Sequence, residues 1–280
     1  MSEHRMSERH ACALVGLSSD TYRHKGQTSA LNVELREHIV LTAHTRRRWG
    51  YCMIYGVLRP QYPNINHKQV YRIYTAEGLS IRKRKKAKRI GVRVPLVAAL
   101  AVNQPWSMDF VSDAIARLGA ISRRIKCLTV ADDLTRECVD ITADFGVGGH
   151  YVTRLLDRAA MFRGYPKAVR TDNGPDFTCR ALMTWAQKHS IQHILIEPGS
   201  PTQNAYIDSF NGIFRDECPD ENWFDSLDQA RQAIAKWRTD YNETRPHSSC
   251  GRMPPATFAA LNRQLTGDSM QPSKTDSRIS

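Results

Sequence analysis

The feature that most restricts the fold of this 280-residue chain is the order of its strand-like and helix-like stretches after residue 103. Segment 106–111 reads as a short strand, and 124–131 and 137–142 alternate apolar and polar side chains at period two, as half-buried strands do. Asp132 and Asp133 supply turn residues between the second and third, so the three read as an antiparallel meander. An amphipathic helix over 151–162 follows, closed by Gly164 and Pro166. Then come a strand at 167–171, a helix at 178–190, a strand at 191–197, and a long helix from 203 to about 218 that Pro219 cannot continue. A further helix spans 225–242. Strands first, then helices alternating with strands, predict an α/β sandwich.

The first third follows another pattern. Residues 7–23 read as two short helices about a turn at Gly16, with Ser18 or Ser19 placed to cap the second, the spacing of a helix-turn-helix. A helical pattern over 31–48 ends in three arginines, and an apolar helix runs from 51 to about 58, before Pro60. Asn66 then caps a helix over 67–74, with Val70, Ile73 and Tyr74 toward a core and Lys68, Gln69 and Arg72 outward. Residues 82–93, RKRKKAKRIGVR, are densely basic with no acid, and read as an interdomain linker that also favours phosphate. Charge divides the chain in the same place. Residues 1–94 carry 19 Lys/Arg and 6 Asp/Glu, net +13, and the remainder is net −1. Such a block beside a neutral one points to a polyanion-binding module joined to a domain with another task.

Several classes are excluded. The longest apolar stretch, 94–102, is too short to span a membrane and contains Pro95. The N-terminus is polar, without the apolar heart of a signal peptide, and seven scattered cysteines form no Cys-x-x-Cys pair. A reducing cytoplasm is therefore expected, with neither disulfide framework nor zinc cage. His150, Cys127 and Cys138 read as structural residues for the same reason. The tail after about 264 reads as disordered.

Three carboxylates stand where chemistry would need them. Asp109 lies in the first strand, Asp172 at the C-terminal end of a later strand, and Asp208 inside the long helix. Hard divalent cations take oxygen ligands converging from separate elements. Two such ions about 3.5–4 Å apart activate a nucleophile and stabilise the leaving oxygen in phosphodiester chemistry. Asn204 and Asn211 share a helix face with Asp208, at i−4 and i+3. The stripe Asn204, Asp208, Asn211, Arg215 is either an exposed polar face or the wall of a cleft for DNA and metal.

These residues lie in longer motifs: WSMDF at 106–110, TDNG at 171–174, PTQNAYIDSFNG at 201–212, and WR-x-x-YN-x-x-RPHS at 237–248. In these the chain resembles the DDE transposases of bacterial insertion sequences, specifically the second-frame product of the group encoded by two overlapping frames. The thirty-five residues between Asp172 and Asp208 match that family's spacing between its second Asp and its Glu. Arg215 matches the basic residue two turns later, and residues 67–72 resemble the family's DNA-binding region. The resemblance implies a ribonuclease-H-like, integrase-like core over 103–222, behind an all-α, helix-turn-helix-type region at 1–80 and a basic linker at 81–102. A helical extension at 223–262 and a disordered tail at 263–280 complete this division. It also implies that Asp109, Asp172 and Asp208 are catalytic and hold Mg²⁺ or Mn²⁺, two ions in all. DNA contacts are expected from Lys68, Gln69, Arg72, Arg82, Lys83, Arg84, Lys85, Lys86, Asn204, Asn211 and Arg215. The implied partners are insertion-sequence ends, target DNA, further copies of the chain in a synaptic complex, and the upstream-frame product. The implied place is the bacterial cytoplasm, at the nucleoid.

The chain departs from the family at two carboxylates, with Asp208 in place of Glu and Asp176 where Glu is usual. Aspartate is one methylene shorter, which withdraws its oxygens by about 1 Å, a misplacement that can cost roughly 10²-fold in rate. A strand-transferring enzyme is the leading reading. A catalytically impaired DNA-binding regulator of transposition is the second. A plain ribonuclease would not require the basic first third.

Overall fold

The computed structural model describes residues 6–23, 30–81, 99–115, 122–197 and 204–266. Arg82, Lys83, Arg84, Lys85 and Lys86 lie outside the described residues, as does the rest of the run at 82–93. Five strands form one mixed sheet: β1 (Pro105–Ile115), β2 (Arg123–Asp132), β3 (Cys138–Asp144), β4 (Ala168–Thr171) and β5 (Gln192–Leu195). Their spatial order is β3-β2-β1-β4-β5. The first three pair antiparallel, as the alternating pattern predicts, and β4 and β5 add parallel to β1.

Alternation along the strands decides the layers. Trp106 and Met108 of β1 face α6 (Gly149–Arg163) and α7 (Arg180–Lys188), against Val152, Leu156, Leu182 and Trp185. Val111 and Ile115 face the other way, toward Ile207, Phe210 and Phe214 of α8 (Ala205–Glu217) and Trp237 and Tyr241 of α9 (Leu227–Glu243). The result is a three-layer α/β sandwich. The Cys127 and Cys138 thiols are buried and pushed up to about 12, so they sit in it as small apolar residues.

The outer strand β3 is covered by α9. The Asn242 side chain accepts from Cys138 N at 2.9 Å and donates to Cys138 O at 3.0 Å. Arg238 donates to Val139 O at 2.6 Å, and Arg231 to Ala143 O at 3.1 Å. Side chains thus satisfy backbone groups that an open edge would offer to another strand. A last helix, α10 (Pro255–Thr266), packs on α9 and is tied to β3's approach by Arg263 on Glu137 at 3.2 Å. Helix α10 carries on to Thr266, past the boundary expected at 263, and Arg263 within it is held by that ion pair.

The first third is helical: α1 (Glu8–Leu14), α2 (Ser19–Arg23), α3 (Ala30–Thr45), α4 (Tyr51–Leu58) and α5 (His67–Ala76). Gly16 takes a φ of 68°, and Asn66 caps α5 by accepting from Lys68 N at 2.9 Å. Leu35, Ile39, Ile54, Leu58, Val70 and Tyr74 make a separate small core from α3, α4 and α5. The arginines after α3 join this unit to the sheet domain. Arg46 forms a forked ion pair with Asp240 of α9, with Nη1 2.7 Å from Oδ2. Arg48 reaches Asp216 of α8 at 3.6 Å and Glu221 at 3.3 Å. Gly56 lies so close to Pro246 that an added Cβ would come within 2.9 Å of it.

Candidate active site

The site grows from strand register. Trp106 pairs with Val169 and Ser107 with Arg170, so the same parallel register continued two residues brings Asp109 of β1 level with Asp172, just past the end of β4. Neighbouring strands lie about 4.8 Å apart. The loop after β4 is shaped for the aspartate. Asp172 Oδ1 accepts from Gly174 N at 2.9 Å, and a Cβ on Gly174 would sit 2.9 Å from that oxygen, so a larger residue there would displace the carboxylate. Asn173 donates to Ile196 O at 2.8 Å and pins the loop to the chain leaving β5. Asp176 pairs with Lys126 of β2, whose ammonium also lies 3.7 Å from the centre of the Phe110 ring.

Helix α8 supplies the third side. Asn211 is buried in its middle, where it donates to Asp109 Oδ2 at 2.8 Å and accepts from Thr129 Oγ1 at 2.8 Å. Thr129 stands opposite Asp109 on β2 and also donates to Asp109 O at 3.0 Å. Asn211 is therefore a positioning residue for Asp109. That corrects its expected place among the DNA contacts, for a side chain 2% exposed has no surface to offer a duplex. Asp208, three residues earlier, is exposed, and Asn204 Nδ2 donates to its Oδ1 at 3.2 Å. Asn204 Oδ1 is buried with no hydrogen-bond partner. Arg215 is exposed on the same helix.

Electrostatics link the three acids. Burial pushes the Asp109 carboxyl above the usual carboxylate range, and the charges of Asp172 and Asp208 push the same way. Backbone N–H of Phe110 and the Asn211 amide pull it back. A cation between the acids would relieve that repulsion, and the donors are all hard oxygens. Among the described residues, no three His, Cys, Asp or Glu side chains are drawn close enough to hold a metal ion.

Residues 99–201 and 189–255 each match an integrase core domain, and residues 31–87 match an HTH-like domain. The chain is 57% identical over 274 residues to the insertion element IS476 uncharacterized 39.2 kDa protein of Xanthomonas euvesicatoria, covering 97% of this chain and 78% of that one. It is 50% identical to the insertion element IS407 uncharacterized 31.7 kDa protein of Burkholderia multivorans, covering 92% of each. The chain belongs to the DDE-type transposases of insertion elements. Its fold also matches a chain of the simian T-cell lymphotropic virus intasome, with a TM-score of 0.51 at 14% identity, covering 86% of this chain and 80% of the other.

As a DNA transposase, the protein places its HTH-like domain over α3, α4 and α5, and the match leaves out the 7–23 hairpin. On α5, Lys68 and Arg72 are exposed, as expected. Gln69 is half-buried and donates to Asn32 Oδ1 of α3 at 2.7 Å, so it joins two helices where an outward, DNA-facing residue was expected. Thr129 was invisible to sequence reasoning, being one small residue in an apolar strand. Asn173 stood inside a recognised motif without a role. Asn211 carried a signal: it lies four residues after Ile207 and three before Phe214, on the apolar stripe.

Proposed function

We propose that this transposase cuts the ends of its insertion element and joins the freed 3′ hydroxyl to target DNA at Asp109, Asp172 and Asp208. The observation that carries this is the geometry around Asp109: the β1–β4 register sets it level with Asp172, and Asn211, three residues after Asp208 on α8, is hydrogen-bonded to it. Asp109, fixed by Asn211 and Thr129, is the rigid ligand, and Asp172 and Asp208 are exposed partners able to close on a cation. Two bound Mg²⁺ or Mn²⁺ would activate the attacking water or hydroxyl and stabilise the leaving oxygen. Asn204 orients Asp208, and exposed Arg215 holds the DNA backbone beside it. Lys68 and Arg72, with the basic run at 82–93, hold duplex DNA from the other domain. Copies of the chain assemble at the paired ends in the cytoplasm, at the nucleoid, and the upstream-frame product is a further partner.

Nicking of supercoiled plasmid by the full chain, with and without divalent metal, tests the reading. Metal-dependent nicking that Asp109→Asn and Asp172→Asn each abolish, with DNA retention unchanged, is the expected result. DNA binding without any metal-dependent nicking would favour the regulator.

A further inference from the structure

Lys126 on β2 joins the surroundings of Asp109 to those of Asp172. Ser112 is its partner across the β1–β2 ladder, which puts it on the sheet face of Phe110, toward α6 and α7. Its ammonium sits 3.7 Å from the centre of the Phe110 ring and forms an ion pair with Asp176. The Phe110 ring in turn stacks on Phe177, with centroids 4.8 Å apart and planes 17° from parallel. The four side chains close a clasp, two from the sheet and two from the loop after β4.

Each half of the clasp is continuous with one of the acids. Phe110 follows Asp109, and its backbone N–H donates to Asp109 Oδ1 at 2.7 Å. Asp176 and Phe177 end the loop that Asp172 begins. Phe177 N donates to Gly174 O at 3.0 Å, and Gly174 N donates to the Asp172 carboxylate. Asp176 is also held from behind. Cys179 Sγ donates to its carbonyl at 3.2 Å, and Gly149 at the start of α6 lies so close that a Cβ there would come 3.2 Å from the same oxygen. The loop is therefore tied toward β5 by Asn173 and toward β2 by Asp176.

This hold is made or lost as a unit. The Lys126 and Asp176 side chains are 31% and 27% exposed, so each charge is largely withdrawn from water and depends on the other. The face of the Phe110 ring adds a second attraction for the ammonium. Removing either charge leaves its partner to turn toward solvent, and the loop that carries Asp172 loses its tie to the sheet. We infer that Lys126 is a positioning residue for the metal-holding acids: with Asp176, and on the Phe110–Phe177 stack, it sets the gap between Asp109 and Asp172. This rests on the metal-holding reading above and adds to it a residue outside the recognised motifs.

The test reads metal binding itself, as loss of the free Mn²⁺ electron paramagnetic resonance signal when the full chain is titrated without DNA. Lys126→Met keeps the stem against the ring and removes the charge. It should weaken Mn²⁺ binding about tenfold, the scale set by groups that support metal ligands. Asp176→Asn should do the same. The double variant should also lose about tenfold, because both changes break one contact. Arg158→Met, which breaks an ion pair with Asp140 of β3 at 2.6 Å, should bind Mn²⁺ as the unaltered chain does. An unchanged far-ultraviolet circular dichroism spectrum of each metal-free variant shows that it folds. Affinity within about twofold of the unaltered chain in either single variant, or a loss of about a hundredfold in the double, overturns the inference. So does an equal loss in Arg158→Met. Mn²⁺ binding that is indifferent to Asp109→Asn would instead reject the metal-holding reading, and the inference with it.

Discussion

Asn211 shows how one side chain can decide what a carboxylate does. Its amide fixes an Asp109 oxygen at 2.8 Å and is itself fixed by Thr129, within a helix whose neighbours are buried phenylalanines. Asn211→Ala should lower stability by about 1–3 kcal/mol, the cost of unmaking a buried polar contact, measured by denaturant unfolding. Loss of the support should also slow strand transfer by about 10- to 100-fold, as for other groups that orient a metal ligand. Unchanged activity would show that Asp109 needs no such hold. The stripe containing Asn204, Asp208, Asn211 and Arg215 was legible in the sequence, but not its division. Residues three and four apart share a face only approximately, and this face straddles the boundary between core and cleft. Asp208 fell on the exposed side and Asn211 on the buried side.

Among the elements, α9 and β3 depend on each other. The strand's outer backbone is capped by Asn242, Arg238 and Arg231. Asn242→Leu should cost about 1–3 kcal/mol, because Cys138 loses both a donor and an acceptor partner. Thermal unfolding monitored by far-ultraviolet circular dichroism would register it, and a melting temperature within error of the unaltered chain would mean that water replaces the amide. The meander, both parallel strands and their helices were readable because apolar period changes cleanly at Gly164, Pro166 and Pro219. The cap on β3 was not. It joins residues about a hundred positions apart, and no local pattern records such a contact. For the same reason the closing helix α10, whose anchor is Glu137, ran past the expected boundary.

At the scale of the whole molecule, the charge split foretold two units, yet not which arginines serve DNA. Arg46 and Arg48 are spent on acids of α9 and α8 and on Glu221, so they join the HTH-like domain to the helices that cover the sheet. Lys68 and Arg72 remain outward. Replacing both with alanine should lower duplex affinity and flatten the plot of log affinity against log salt by about 0.9 per lost phosphate contact. An unaltered slope in fluorescence anisotropy titrations would remove α5 from the interface. The central claim is that Asp208 completes a metal-holding centre with Asp109 and Asp172. It is tested most directly by measuring end cleavage and strand transfer for Asp208, Asp208→Glu and Asp208→Asn chains, on the same DNA, in Mg²⁺ and in Mn²⁺. The longer glutamate should restore reach and raise the rate by about one to two orders of magnitude, the scale of an ångström-level correction. Mn²⁺ should help the Asp208 chain more than the glutamate variant, and asparagine should leave no activity. Equal rates for all three chains would contradict the account.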